Sequence, residues 1–142
     1  MSVEVRRIAG AAEYDAALDL RHRVFCVEQG VPKREEIDGR DGEAIHLVAL
    51  LEGEVVGTCR MLFAGRTVQF SRLAVDPGVR REGIATALLR EADREARTSG
   101  SQRIVLHAQT YAQALYTRAG YEPRGRMFVE AGIEHVAMEK RL

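Results

Sequence analysis

Between Ile45 and Val75 the chain reverses direction twice with almost nothing in between. Residues 45–51 (IHLVALL) form an apolar run, and Glu52-Gly53-Glu54 turns the chain. Residues 55–63 (VVGTCRMLF) return, Ala64-Gly65-Arg66 turns again, and residues 67–75 (TVQFSRLAV) make a third extended segment. β-Branched and aromatic residues between Gly-containing breaks read as strands. Connections this short allow only antiparallel neighbours, because a parallel pair needs a long crossover. An antiparallel meander therefore sits in the middle of the chain.

What flanks the meander decides the class. Residues 3–8 (VEVRRI) alternate like a first strand. Residues 12–27 read as a helix, with Tyr14, Ala17, Leu18, Val24 and Phe25 at helical spacing facing a core. Residues 29–44 are polar and broken by glycines, which predicts a loop with at most a short helix, and the run KREE at 33–36 reads as solvated surface. After Asp76-Pro77-Gly78, residues 83–98 predict a helix with Ile84, Leu88, Leu89, Ala92 and Ala96 on its buried side. A strand at 103–108, a short helix at 111–119 and two tail strands near 125–130 and 134–141 complete the order. The helix between the third meander strand and residues 103–108 is a crossover, so that pair can be parallel. The expected fold is α/β, with a mixed, mostly antiparallel twisted sheet flanked by helices. It is not a doubly wound Rossmann fold, which would alternate strand and helix from the start.

Size and charge narrow the field. At 142 residues and 46% hydrophobic, the chain suits a single domain over 1–142 with a sizeable core. Its 21 basic and 21 acidic residues balance, which gives no electrostatic case for a nucleic-acid or membrane partner. No stretch approaches the roughly 20 apolar residues of a membrane span. The N-terminus has no secretory pattern, so the cytoplasm is expected. Cys26 and Cys59 form no metal or disulfide spacing, and the four histidines show no paired ligand spacing, so no metal site is expected.

The most informative segment is LAVDPGVRREGIATALL, residues 73–89. A strand ends, a loop carries Arg80, Arg81 and Gly83, and a helix begins at Ile84. The first amides of a helix lack intrahelical partners and carry partial positive charge, so they bind phosphate readily. Gly83 and the small Ala85 let a ligand approach the backbone. A Walker loop is excluded because Ile84 stands where its lysine belongs, and the glycines of a dinucleotide fingerprint are missing. The bland alternative is an ordinary strand-to-helix turn with a solvated Arg pair.

Arg80-Arg81-Glu82-Gly83-Ile84-Ala85 resembles the phosphate motif of the GNAT-type N-acetyltransferases: Arg or Gln, two residues, Gly, one residue, then Gly or Ala. Residues 103–125 resemble the family's second motif, with Tyr116, Gly120 and Tyr121 in place. Residues 21–50 and the tail from Phe128 to Met138 resemble its ElaA-type subgroup, so the resemblance covers nearly the whole chain.

That resemblance implies acetyl-CoA as co-substrate and an amine acceptor, either a small molecule or a peptide. Leu73, Ala74 and Val75 would pair with the pantetheine arm, and the Val75 amide would polarise the thioester carbonyl. Amides from Arg81, Glu82, Gly83, Ile84, Ala85 and Thr86 would hold the pyrophosphate, with Arg80 adding charge. Gln109 stands where the family often has an Asn that contacts coenzyme A. Tyr116 matches the general acid, against the alternative that it is simply core beside Ala112, Leu115 and Ala119. Glu28 is the first choice for the base, with His46, His107, His135 or ordered water as alternatives. The tail strands are expected to pair or pack across a homodimer. Two other readings stay open at this point: a non-catalytic coenzyme A-binding sensor or scaffold, and an acyl-homoserine-lactone-synthase-like acyltransferase, which residues 21–41 loosely resemble.

Overall fold

A computed structural model describes residues 2–142. The elements are β1 (Glu4–Arg7), α1 (Gly10–Arg21), a π-helical stretch (His22–Glu28), α2 (Lys33–Glu36), β2 (Ile45–Leu51), β3 (Glu54–Ala64), β4 (Thr67–Val75), α3 (Ile84–Thr98), β5 (Arg103–Gln109), α4 (Gln113–Arg118), β6 (Glu122–Glu130) and β7 (Ile133–Arg141). The seven strands form one sheet in the order β1-β2-β3-β4-β5-β7-β6. Every neighbouring pair is antiparallel except β4 and β5, which the α3 crossover makes parallel. The expected meander, crossover and mixed sheet are all present.

The helix α3 packs as its 3.6-residue pattern dictates. Ile84, Leu88, Leu89, Ala92 and Ala96 are all buried against the sheet. Each fully buried leucine contributes roughly 1.5–3 kcal/mol. The packing is close because β3 offers Gly57: a Cβ there would lie 2.8 Å from Ile84 Cγ2 and 3.0 Å from Leu88 Cδ1. This contact fixes where α3 begins, immediately beyond the end of β4.

Three expectations need correction. Helix 12–27 is two structures, regular to Arg21 and π-helical from His22. The face turned inward is Ala17, Leu20, Arg21 and Val24, while Tyr14, Leu18 and Phe25 are half-buried. The wider π turn shifts the side-chain register that a constant 3.6-residue period assumes. The run KREE is not wholly solvated either: Glu36 is buried and its carboxylate accepts from Arg21 Nε at 2.5 Å. Finally, the first tail strand begins earlier than expected, at Glu122, while the second, Ile133–Arg141, stands where expected.

Candidate active site

The sheet opens between its two parallel strands. β4 and β5 pair only at Thr67↔Arg103, Val68↔Ile104 and Gln69↔Val105, then diverge. A bulge in β4 accompanies the divergence, where the register against β3 jumps from Arg60↔Ser71 to Thr58↔Ala74. Arg72 in the bulge is left-handed, with φ 58°, a conformation that costs a side-chain-bearing residue roughly 1–2 kcal/mol. Its guanidinium offsets this by donating to the Glu36 carbonyl at 3.1 and 2.9 Å.

Beyond the bulge, β4 pairs with β3 on one side and, among the described residues, with no strand on the other. The Asp76 amide donates to Val56 O at 2.8 Å. By strand alternation the amide and carbonyl of Val75 then face the gap. The Val75 carbonyl accepts from Arg80 Nε at 3.1 Å. A cavity of about 710 Å³ fills the gap, lined by Leu73, Val75, Leu106, Gln109 and Tyr116 among others.

The turn from β4 into α3 gathers amides. The Asp76 side chain accepts from the Gly78 amide at 2.9 Å and starts a 3-10 turn, Pro77–Val79. Arg81 (φ 67°) and Gly83 (φ 81°) are both left-handed, which turns successive N–H groups toward one concavity. Ala87 is the first residue of α3 to donate back, to Gly83 O at 3.0 Å. Among the described residues no backbone acceptor meets the amides from Arg81 through Thr86. All of these residues but Glu82 border a second cavity of about 360 Å³, where Arg81, Gly83, Ile84 and Thr86 meet Arg118. Val75, Arg80, Ala85 and Leu115 line both cavities, so the two are adjacent. Glu82 is exposed and borders neither cavity, so it is not brought together with the other residues of the turn.

Tyr116 belongs to both core and cavity. It is 8% exposed and meets Tyr121 edge-on with ring centroids 6.1 Å apart. Burial, with a lesser contribution from nearby Cys59, pushes its phenol well above the usual range. Its hydroxyl has no hydrogen-bond partner among the described residues.

The acetyltransferase (GNAT) domain family model matches residues 10–142. The chain belongs to the GNAT acetyltransferase family. It is 31% identical over 125 residues to an uncharacterized N-acetyltransferase of Bacillus subtilis, YjcF, covering 87% of this chain and 89% of that one. The crystal structure of Escherichia coli ElaA superposes with a TM-score of 0.88 at 26% identity, covering 98% and 99% of the two chains. The PaiA N-acetyltransferase of Thermoplasma acidophilum, solved with coenzyme A, shares the fold at 16% identity and a TM-score of 0.77, over 100% of each chain. The enzyme is an acyltransferase, and its structural neighbours bind coenzyme A.

On the enzyme's other wall, residues distant in sequence converge. Glu28 accepts a two-pronged contact from Arg80 at 2.6 and 2.7 Å. This pair holds the Glu28 carboxyl below the usual carboxylate range. Gln109 donates to Gln29 at 2.9 Å, and Gln29 donates to Tyr111 Oη at 3.2 Å, which ties the end of the π-helical stretch to β5. His107 and His135 line the cavity. His46 does not: its Nε2 lies 2.9 Å from the Asp41 carbonyl and its ring packs edge-on to Tyr14.

Beneath this wall lies a charge network that periodicity could not show. Arg21 and Arg60 are 1% and 2% exposed. Arg21 reaches Glu36 and, at 2.9 Å, Asp41, while Arg60 holds Asp38 through two contacts of 2.8 Å. Hydrophobic patterning assigns such residues to the surface, and only their carboxylate partners on the 33–41 loop make burial tolerable. Nor does the sequence pattern single out Arg118, Tyr111 or Gln29, which line the cavities. Arg118 lies two residues past Tyr116, and only the packing of α4 shows that it reaches the turn between β4 and α3.

No helix among the described residues is long and apolar enough to cross a membrane.

Proposed function

We propose that the enzyme moves the acetyl group of acetyl-CoA to a primary amine by direct attack in a ternary complex. The observation that carries this reading is the parting of β4 and β5 over a cavity that joins the phosphate turn to Tyr116. The unpaired amides from Arg81 to Thr86, with Arg80 and Arg118, suit a pyrophosphate. Leu73 and Val75 line the cavity where the edge is free, which suits a pantetheine amide, and Gln109 borders the same path, whereas Ala74 is buried, pairs with Thr58 of β3 and lines no cavity. The Val75 amide faces the gap, where it can meet the negative charge that develops on the thioester oxygen.

Attack of the amine nitrogen on the thioester carbon forms the C–N bond, and collapse breaks the C–S bond. The departing thiolate needs a proton. A thiol has a pKa near ~8.5 and a phenol near ~10, and burial raises Tyr116 further. Tyr116 therefore holds its proton at neutral pH. The same apolar surroundings destabilise the thiolate, which favours transfer. Glu28 can act as base only in a state where Arg80 has turned away from it, because a carboxylate gripped by two guanidinium nitrogens is a poor proton acceptor. Both cysteines are free, in keeping with a reducing cytoplasm. The edge strand β6 exposes Met127 and Val129, the surface that a second copy would cover; light scattering that gives a monomer at high concentration removes the dimer.

The test is free-thiol release from acetyl-CoA across amino acids, polyamines, small alkylamines, peptide N-termini and lysine side chains, together with calorimetry of acetyl-CoA binding. At least one amine should accelerate thiol release. Gly83→Asp, which sets bulk and negative charge at the turn, should abolish binding. Equal binding by that variant refutes the phosphate-turn assignment.

A further inference from the structure

His107 stands where the gap opens, two residues past Val105, the last β5 residue to pair with β4. Strand alternation puts it on the face of Gln109, opposite buried Ile104, Leu106 and Ala108. Its Nδ1 lies 3.0 Å from Glu130 Oε2. An ionised carboxylate only accepts, so Nδ1 carries the proton and the lone pair of the neutral ring sits on Nε2. Nε2 has no protein partner among the described residues. The ring is held edge-on against Phe128, with centroids 5.0 Å apart and planes at 79°. Phe128 in turn stacks on His135, which donates from Nδ1 to the Ile133 carbonyl at 2.7 Å. His107, Glu130 and Tyr116 line one cavity.

We propose that His107 is the base that deprotonates the acceptor amine, with Glu130 as the positioning residue that fixes its tautomer. The inference rests on the acetyl-transfer reading above. An alkylammonium gives one proton to His107 Nε2, and the neutral amine attacks the thioester carbon. On collapse the nitrogen loses its second proton while the thiolate takes one from Tyr116, and that second proton restores the phenol. The proton on His107, which is half-exposed, leaves to water. The products are the amide, the free thiol and one proton. Glu130 is the charged group in contact with His107, and His135 and the Glu28–Arg80 pair share the cavity.

The experiment compares wild type with His107→Gln, Glu130→Gln and Glu28→Gln, using the panel amine turned over fastest. kcat/KM is followed from neutral to alkaline pH, and ¹⁵N NMR reads the ring tautomer. His107→Gln should lose about 10²-fold near neutral pH, and the deficit should close at high pH, where the amine is already neutral in water. Acetyl-CoA affinity should hold. Glu130→Gln should lose less, and its His107 should show a mixed tautomer where wild type shows Nδ1–H. A wild-type rate in His107→Gln, a deficit equal at every pH, or the whole pH-dependent loss appearing in Glu28→Gln instead would overturn the proposal. If no amine is turned over by wild type, the acetyl-transfer reading fails by itself. NMR still decides the geometry, because a neutral ring protonated on Nε2 removes the base.

Discussion

Across the gap between β4 and β5, one wall is built from nearly consecutive residues, Val75 to Thr86. The other is collected from the π-helical stretch, α2, β3, β5 and the β6–β7 hairpin. The proposed phosphate wall offers backbone amides, set by two left-handed residues and the start of a helix. The proposed acceptor wall offers side chains, held by guanidinium–carboxylate pairs with partners 15 to 22 positions apart in sequence, as in Arg21–Glu36 and Arg60–Asp38. A backbone site needs only the right turn, and its side chains can change without moving it. A side-chain site depends on every partner. The two walls should therefore fail differently.

The largest effect should come from Glu36→Ala, which leaves Arg21 buried without its closest carboxylate. Removing one partner of a buried pair costs about 3–5 kcal/mol, to be read as a lower urea midpoint. Arg118→Ala on the phosphate wall should stay within about 0.5 kcal/mol of wild type in stability while weakening acetyl-CoA binding. Equal destabilisation by the two would erase the contrast.

Gly57→Ala should cost about 1–3 kcal/mol through overpacking, since its Cβ would press on Ile84 and Leu88. Calorimetry should also show weaker acetyl-CoA binding, because the start of α3 must shift.

Acid should loosen the acceptor wall first. Burial pushes the Asp41 carboxyl up, but hydrogen bonds from Tyr14, Arg21 and Arg60 outweigh it and hold the carboxyl down at about 2. Asp38 is held well below the usual range, mainly by its hydrogen bond from Arg60. Both folded values lie below the unfolded value near ~3.9. The ionised groups therefore stabilise the fold above about pH 4, and that stabilisation is lost as pH falls toward about 2. Hydrogen exchange at residues 33–41 should accelerate over this range before exchange in α3 does. Simultaneous release would make the two walls one cooperative unit. The smallest effect belongs to Glu28→Gln: both partners of the Arg80 pair are about 40% exposed, and such a pair contributes about 0–1 kcal/mol to the melting midpoint.

The same contrast explains what the sequence disclosed. The meander, the crossover and the buried face of α3 follow from local turn chemistry and periodicity, and all stand where the pattern puts them. The turn from β4 into α3 was legible because consecutive residues make it. Arg21, Glu36 and Arg60 were illegible because a charged residue reads as surface until its partner is placed. The π-helical stretch was illegible because a single helical period cannot reveal a change of period. Tyr116 was ambiguous for a physical reason: it packs with Tyr121 in the core and opens onto the cavity.

The most direct test of this account is Tyr116→Phe, assayed for turnover and acetyl-CoA affinity on one preparation beside Tyr116→Ala. Removing only the hydroxyl should leave affinity and melting near wild type and lower kcat by roughly 10²–10⁴, with kcat/KM falling in parallel. Tyr116→Ala should in addition lose about 3–5 kcal/mol of stability. Unchanged turnover in Tyr116→Phe would contradict the account and leave Tyr116 a core residue.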